Sequence, residues 1–387
     1  MESIMSIYVV QPGDTVDEIA ERYAVQPERI IYDNQLNYPY PLAVGQALWI
    51  GEDSGTLGTE ERPMVLSGGY AYPFIQEEVL DNTLPYLSQL YIFSYGFTVE
   101  GELVEPAQDD LWMIQRASWA ECAAILTLTP LGADGTFNND LITAVVQNEA
   151  AKNNLYQNLL NVLQTKGYQG VDVDFEYIKA QDRDAFTEFV RGLRVKLGAF
   201  GYQVSVALAP KTSADQPGLL YQGKDYAGLG AAADRVLLMT YEWGYTYGPP
   251  MAVAPLNKVR QVVEYAVTEI PVDKINLGIP NYGYDWPLPF ERGVTKAKTI
   301  GNIEAVQIAI EKGAEIQYDT VAQSPFFTYT ENGVEHEVWF EDVRSIREKF
   351  NLMDEFGIHG TGYWQLMRLF RANWLLMESR YDILKYQ

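Results

Sequence analysis

The sequence holds one cysteine, Cys122, and two histidines, His336 and His359, among 387 residues. A single thiol excludes an internal disulfide framework. So few soft ligands leave nothing from which to assemble a transition-metal centre, and neither a metal nor another cofactor is expected. Positive charge is scarce as well: 28 Lys and Arg stand against 52 Asp and Glu, a net charge of −24. Such an excess repels polyanions, which argues against nucleic acid or an anionic membrane surface as partner. Long apolar runs are also missing. No stretch reaches the ~18 residues of a membrane span, and "MESIMSIYVVQPGDT" lacks a basic segment followed by an apolar core, so neither membrane insertion nor a signal peptide is expected. What the chain does have is 47% hydrophobic residues, enough for one large domain and a small one. Nothing in it calls for an obligate protein partner.

The first 50 residues organise themselves apart. A β-type run, Ile7 to Val10, is followed by a Pro12-Gly13 turn, and Thr15 with Glu18 three later has capping-box spacing ahead of Val16, Ile19, Ala20 and Tyr23. Pro27 suits the first turn of a second helix, and "ALWI" closes the unit as a strand. Through "YVVQPGDT", "IAERYAV", Asn34 and "VGQALWI" this βααβ stretch, residues 6–51, resembles the LysM module. The resemblance implies binding of glycans containing N-acetylglucosamine, with Gly13, Asp14, Thr15, Asn37 and Tyr38 as the glycan-contacting positions. Polar, glycine-containing residues 52–63 read as a linker.

Eight strand-like runs fill residues 64–387: "MVLSGGYA", "LYIFSYGF", "AAILTLTP", "VDVDFEY", "QVSVALAP", "RVLLMTYEW", "KINLGIPNYG" and "GTGYWQL". Segments of helical periodicity separate most of them, which predicts an α/β fold, a (β/α)8 barrel with its site at the strand C-terminal ends. Polar and aromatic residues gather at those ends, among them Tyr70, Tyr72, Tyr95, Lys211, Tyr282, Trp286 and Trp364. The gap before the eighth run predicts a small α+β insertion at 287–340 between strands seven and eight, with a helix near Ile303 to Lys312 and hairpin material after it.

"VDVDFEY" sets Asp172, Asp174 and Glu176 on one face of a strand, the face that points into a closed barrel. No Arg or Lys lies within the strand to neutralise them, and close like charges cannot all ionise cheaply. Such a stack raises at least one pKa, so Glu176, nearest the mouth, can stay protonated and donate to a leaving group above a supporting Asp174. The residue types alone leave two readings open, catalysis and buried structural acids.

"GVDVDFEY" is similar to the active-site strand of glycoside hydrolase family 18, DGxDxDxE, with Gln169 where that pattern has its first aspartate. "LLMTYEW", with Glu242 in place of the family's aspartate, "GIPNYGYDW" and "GYWQL" resemble later strands of the same family. The resemblance implies a retaining, substrate-assisted hydrolysis in which the substrate's own acetamido carbonyl attacks. Glu176 would be the acid, Asp174 would orient the acetamido nitrogen, Tyr241 would hold the acetamido oxygen and Asp172 would complete the acidic stack. Tyr70, Tyr95, Glu242, Trp243, Tyr282 and Trp364 would contact the sugar. It further implies non-proline cis peptides at Ser94-Tyr95, Glu176-Tyr177 and Trp364-Gln365. A LysM-type module joined to such a barrel most resembles the spore-cortex hydrolases and germination-associated glycosylases of endospore formers. The implied reaction is cleavage of β-1,4 bonds after N-acetylglucosamine in cortex peptidoglycan, by an enzyme resident in the spore coat or cortex or otherwise in the cytoplasm. A chitinase and a catalytically inactive glycan-binding protein are the alternatives.

Three other features carry less. "GLGAAA" at 228–233 precedes a strand, whereas a dinucleotide fingerprint follows one. Cys122, beside Ala123 and Ala124, reads as a small buried hydrophobe, and His336 as part of a hairpin face.

Overall fold

The computed structural model describes residues 6–51 and 62–386, so the expected linker lies, apart from Arg62 and Pro63, outside the described residues. Eight parallel strands form the barrel: β1 (Met64–Ala71), β2 (Gln89–Phe97), β3 (Ala123–Leu128), β4 (Gly170–Val173), β5 (Gln203–Leu208), β6 (Arg235–Leu238), β7 (Ile275–Pro280) and β8 (Gly360–Trp364). Each pairs with the next, and β8 pairs with β1 through Gly360↔Leu66 to Tyr363↔Gly69, which closes the ring. A parallel barrel is covered on its outside by helices, and its strands are accordingly apolar on both faces: all nine residues of β2 and all six of β3 are buried. The predicted strand over residues 171–177 is regular only to Val173; the chain then leaves the ladder, after one further bond from the Asp174 N–H to the Leu128 carbonyl.

Between β7 and β8 a five-stranded antiparallel sheet and the helix Asn302–Lys312 form the expected α+β insertion. Its first strand, Gly283–Pro287, ends where the insertion was expected to begin. Non-proline cis peptides occur at Phe93-Ser94 and Trp364-Gln365. The bond expected at Ser94-Tyr95 is thus one residue earlier, and Glu176-Tyr177 is not among the cis bonds.

At the N-terminus, Ser6–Val9 pairs antiparallel with Ala47–Ile50 around the helices Val16–Tyr23 and Pro27–Asp33. Thr15 caps the first helix, its hydroxyl accepting from the Glu18 N–H at 3.3 Å. This small unit is docked on the barrel. The Ile316 N–H donates to the Val44 carbonyl at 2.9 Å, and Arg344 donates to the Gly45 carbonyl at 3.1 Å. Gln35 accepts from the Arg371 N–H at 2.7 Å, and the Arg371 guanidinium lies 3.9 Å from the centre of the Tyr32 ring. Ala43 packs in one cluster with Ile300, Ile316 and Phe340 of the insertion, and Trp49 joins the barrel's own core.

Candidate active site

From Asp172 within β4 to Glu176 beyond its end the three acids keep their alternation but differ in depth. Asp172 is fully buried, Asp174 is 9% exposed and Glu176 opens to solvent. Asp172 is locked: the Tyr70 hydroxyl donates to one oxygen at 2.7 Å and the Ser205 hydroxyl to the other at 2.6 Å. Among the described residues Asp174 has no such partners, and its Oδ1 is buried without a hydrogen bond. Burial raises the pKa of all three; Asp174 is pushed furthest, by burial first and then by the nearby charges of Glu176 and Asp172. Raised pKa values on the neighbouring Asp174 and Glu176 favour a proton shared between the two in the free enzyme.

The cation missing from the strand comes from elsewhere. Lys224, fully buried in the loop after β5, donates to the carbonyls of Phe175 and Ala207. Its charge opposes the upward shift of each acid, while burial lowers its own pKa to about 8.

Asp174 and Glu176 line a cleft of about 720 Å3 at the C-terminal mouth of the barrel. Tyr70, Tyr241, Glu242, Trp243 and Trp364 line it too. The Trp364 ring packs edge-on against Phe93, with centroids 5.1 Å apart and planes at 76°, and lies 5.6 Å from the Tyr70 ring. Glu242 occupies left-handed backbone at φ 68°, and its side chain is held by two phenols, with Tyr282 and Tyr284 both donating to Oε1, the latter at 2.8 Å. Burial raises the Glu242 pKa against the pull of those two bonds. Tyr282 thus stands behind Glu242 and outside the cleft lining, where sugar contact had been expected.

Tyr95 is the clear correction. It is fully buried outside the barrel, its hydroxyl donating to Asp110 at 2.7 Å and accepting from Lys166 at 2.8 Å. The register of β2 against β3 shifts between Ile92 and Tyr95, and one irregular residue exchanges the faces of everything beyond it. Phe93 takes the place in the cleft wall that Tyr95 was expected to hold. Gln169 is exposed immediately before β4, in a pocket it shares with Ala123, Gln203 and Tyr386.

Tyr72, one of the strand-end tyrosines, lines the cleft too, and so do Tyr221 and Tyr284, which were not singled out as sugar contacts. Tyr284 was legible, being two residues from Tyr282 on the same strand face. Lys224 was not, since no local pattern ties it to a strand 50 residues away. Of the other positions, Lys211 is buried with its amine on the Ala214 and Lys224 carbonyls, and Trp286 is buried with its indole N–H on the Gly248 carbonyl. Burial pushes the Cys122 thiol up to about 12, which leaves it unreactive. In the N-terminal unit Gly13, Asn37 and Tyr38 are exposed, Tyr38 at 85%, and Thr15 serves as the helix cap. Asp14 accepts from the Tyr8 hydroxyl at 2.5 Å and the Gln11 N–H at 2.7 Å, bonds that lower its pKa.

The geometry has matching relatives. The family model for glycosyl hydrolases family 18 matches residues 128–368, and that for the LysM domain matches residues 8–51. A cortical fragment-lytic enzyme of Bacillus subtilis (strain 168) is 36% identical over 431 residues, covering 98% of this chain and 99% of the relative; one from Bacillus cereus is 37% identical, covering 99% and 100%. The crystal structure of the Bacillus cereus spore cortex-lytic enzyme SleL superposes with a TM-score of 0.93 at 32% identity, covering 99% of this chain and all of that one. With an acidic strand at the mouth of a closed barrel, and relatives of this length and likeness, the chain belongs to glycoside hydrolase family 18 and carries a LysM domain at its N-terminus.

Proposed function

We propose that the chain hydrolyses the β-1,4 bond after N-acetylglucosamine in spore-cortex peptidoglycan, with retention of configuration and with the substrate's acetamido group as nucleophile. The observation that carries this reading is the buried, unpaired Oδ1 of Asp174 beside Glu176. A buried acceptor without a donor is costly, and an acetamido N–H entering the cleft would satisfy it and hold the carbonyl toward the anomeric carbon. Substrate entry would move the shared proton toward Glu176, which then donates to the leaving oxygen and afterwards takes a proton from water. Tyr241, 9% exposed in the cleft wall, is in position to hold the acetamido oxygen.

The cleft favours an uncharged sugar. Its lining includes Asp174, Glu176 and Glu242 and, among the described residues, no basic side chain, so a sugar bearing a free carboxylate meets like charge. An N-acetylglucosamine at the reacting position, flanked by neutral sugars, fits that field. The names of the relatives support cortex over chitin, and on this reading the protein works where cortex is exposed, in the spore. The test is a digest of purified cortex fragments, reduced with borohydride and read by mass spectrometry. Glucosaminitol ends are expected, and muramitol or muramic-lactam ends would refute the assigned bond. Glu176→Gln, which keeps shape and removes the proton, should lower kcat by at least ~10²-fold. A normally active Glu176→Gln enzyme would refute the mechanism.

A further inference from the structure

We propose that Lys224 is a positioning residue for Glu176, one that fixes the Phe175 carbonyl between Asp174 and Glu176 and sets the charge of the acidic stack. The inference rests on the reading of Glu176 as the acid.

Beyond Val173 the strand has left its regular ladder, so the peptide that aims Glu176 lacks the support that holds the acids beneath it. Lys224 supplies it. The amine donates to the Phe175 carbonyl on the β4 side and, at 3.3 Å, to the Ala207 carbonyl in β5, bridging the two strands where they part. The lysine is in turn held from its own loop, because the Lys211 amine donates to the Lys224 carbonyl at 2.9 Å and to the Ala214 carbonyl at 2.9 Å. The same loop contributes Pro210, Leu220 and Tyr221 to the cleft wall. One buried amine therefore joins the acid's backbone to the wall opposite it.

A neutral donor would satisfy two carbonyls at far smaller desolvation cost than an ammonium group. What the charge adds is its field. Asp172, Asp174 and Glu176 face it from β4 and its continuation, the Phe186 ring lies 5.6 Å from the amine, and Lys211 is the neighbouring cation on its own loop. The phenols of Tyr70 and Tyr241 face the same acids from β1 and the segment after β6, and Glu242 faces Glu176 from the rim. Within this group Lys224 opposes the upward shift of the three acids, so its removal lets them rise further.

The experiment compares Lys224→Met, Lys224→Arg and Lys211→Met in the full chain, with kcat and KM on a soluble cortex fragment measured across pH. Lys224→Met should lower kcat by about 10²-fold, the scale of a catalytic group displaced by ~1 Å, with KM changed much less. Both limbs of its pH profile should move to higher pH by about one unit or more. Lys211→Met, which loosens the same loop without removing the facing charge, should lower thermal stability and leave the limbs in place. Lys224→Arg keeps the charge and alters the donor geometry, so it should lower kcat with unmoved limbs. A folded Lys224→Met enzyme with wild-type limbs overturns the proposal, as does an equal shift in Lys211→Met. If Lys224→Met does not fold, a folded Lys224→Arg enzyme with unchanged kcat overturns it instead. An inactive Glu176→Gln beside an unshifted Lys224→Met removes only the role of Lys224, whereas an active Glu176→Gln removes the reading beneath it.

Discussion

Gly45→Ala tests whether the LysM domain is part of the folded body or a tethered appendage. Gly45 sits at φ +83°, and a Cβ built there would lie 1.8 Å from the Ile316 carbonyl oxygen, a backbone atom that cannot rotate away. The left-handed conformation alone costs an alanine ~1–2 kcal/mol. Relieving the clash requires the two backbones to separate, which breaks the Ile316-to-Val44 bond and the Arg344-to-Gly45 bond, at ~0.5–1.5 kcal/mol each. The sum is about 2–5 kcal/mol. Gly13→Ala is the matched control: it has φ +87° and nothing within 4 Å of its Cβ, so only the conformational cost of ~1–2 kcal/mol applies. Hydrogen exchange reads the contact directly. The Ile316 amide should lose protection in Gly45→Ala and keep it in Gly13→Ala, with a correspondingly lower Tm in the former. Equal Tm values and a protected Ile316 amide in both would show that the docking contact contributes nothing.

Removing residues 1–50 strips Ala43 and Trp49 from two apolar clusters, so the truncated chain should lose thermal stability as well as adhesion to insoluble peptidoglycan; an unchanged Tm, with short-fragment turnover intact, would reduce the domain to a tether. Asp174→Asn removes a carboxyl whose folded pKa lies well above its unfolded value. Such a group stabilises the fold less as pH rises through the range above ~3.9, so the variant should melt higher than the parent at pH 7.5 and with little gain at pH 4; no dependence of the difference on pH would contradict the raised pKa. Tyr95→Phe should cost ~0.5–1.5 kcal/mol of stability per lost bond to Asp110 and Lys166, which keep each other and further partners, while leaving kcat/KM intact, whereas Phe93→Ala should impair kcat/KM; the reverse pattern in paired denaturation and kinetic measurements would return Tyr95 to the cleft.

The parts legible in the sequence were those with local causes. Period-2 alternation put Asp172, Asp174 and Glu176 on one face because successive side chains of a strand must point oppositely, and eight apolar runs separated by helical segments have few ways to close other than a barrel. The capping position of Thr15 and the helix at Asn302–Lys312 followed from equally local chemistry. Alternation fails wherever a strand is irregular, and the shift between Ile92 and Tyr95 is invisible in "LYIFSYGF" because it arises from pairing with β3. Lys224 reaches the Phe175 carbonyl across 49 positions, and Arg371 reaches Gln35 across 336, separations over which no periodicity carries information. The sequence by itself determined the acidic face, the strand count and the two-part organisation, each set by neighbours along the chain. Tertiary structure alone decided how deep each acid sits, which cation faces them and how the small domain is held, because burial, field and docking depend on residues that only folding brings together.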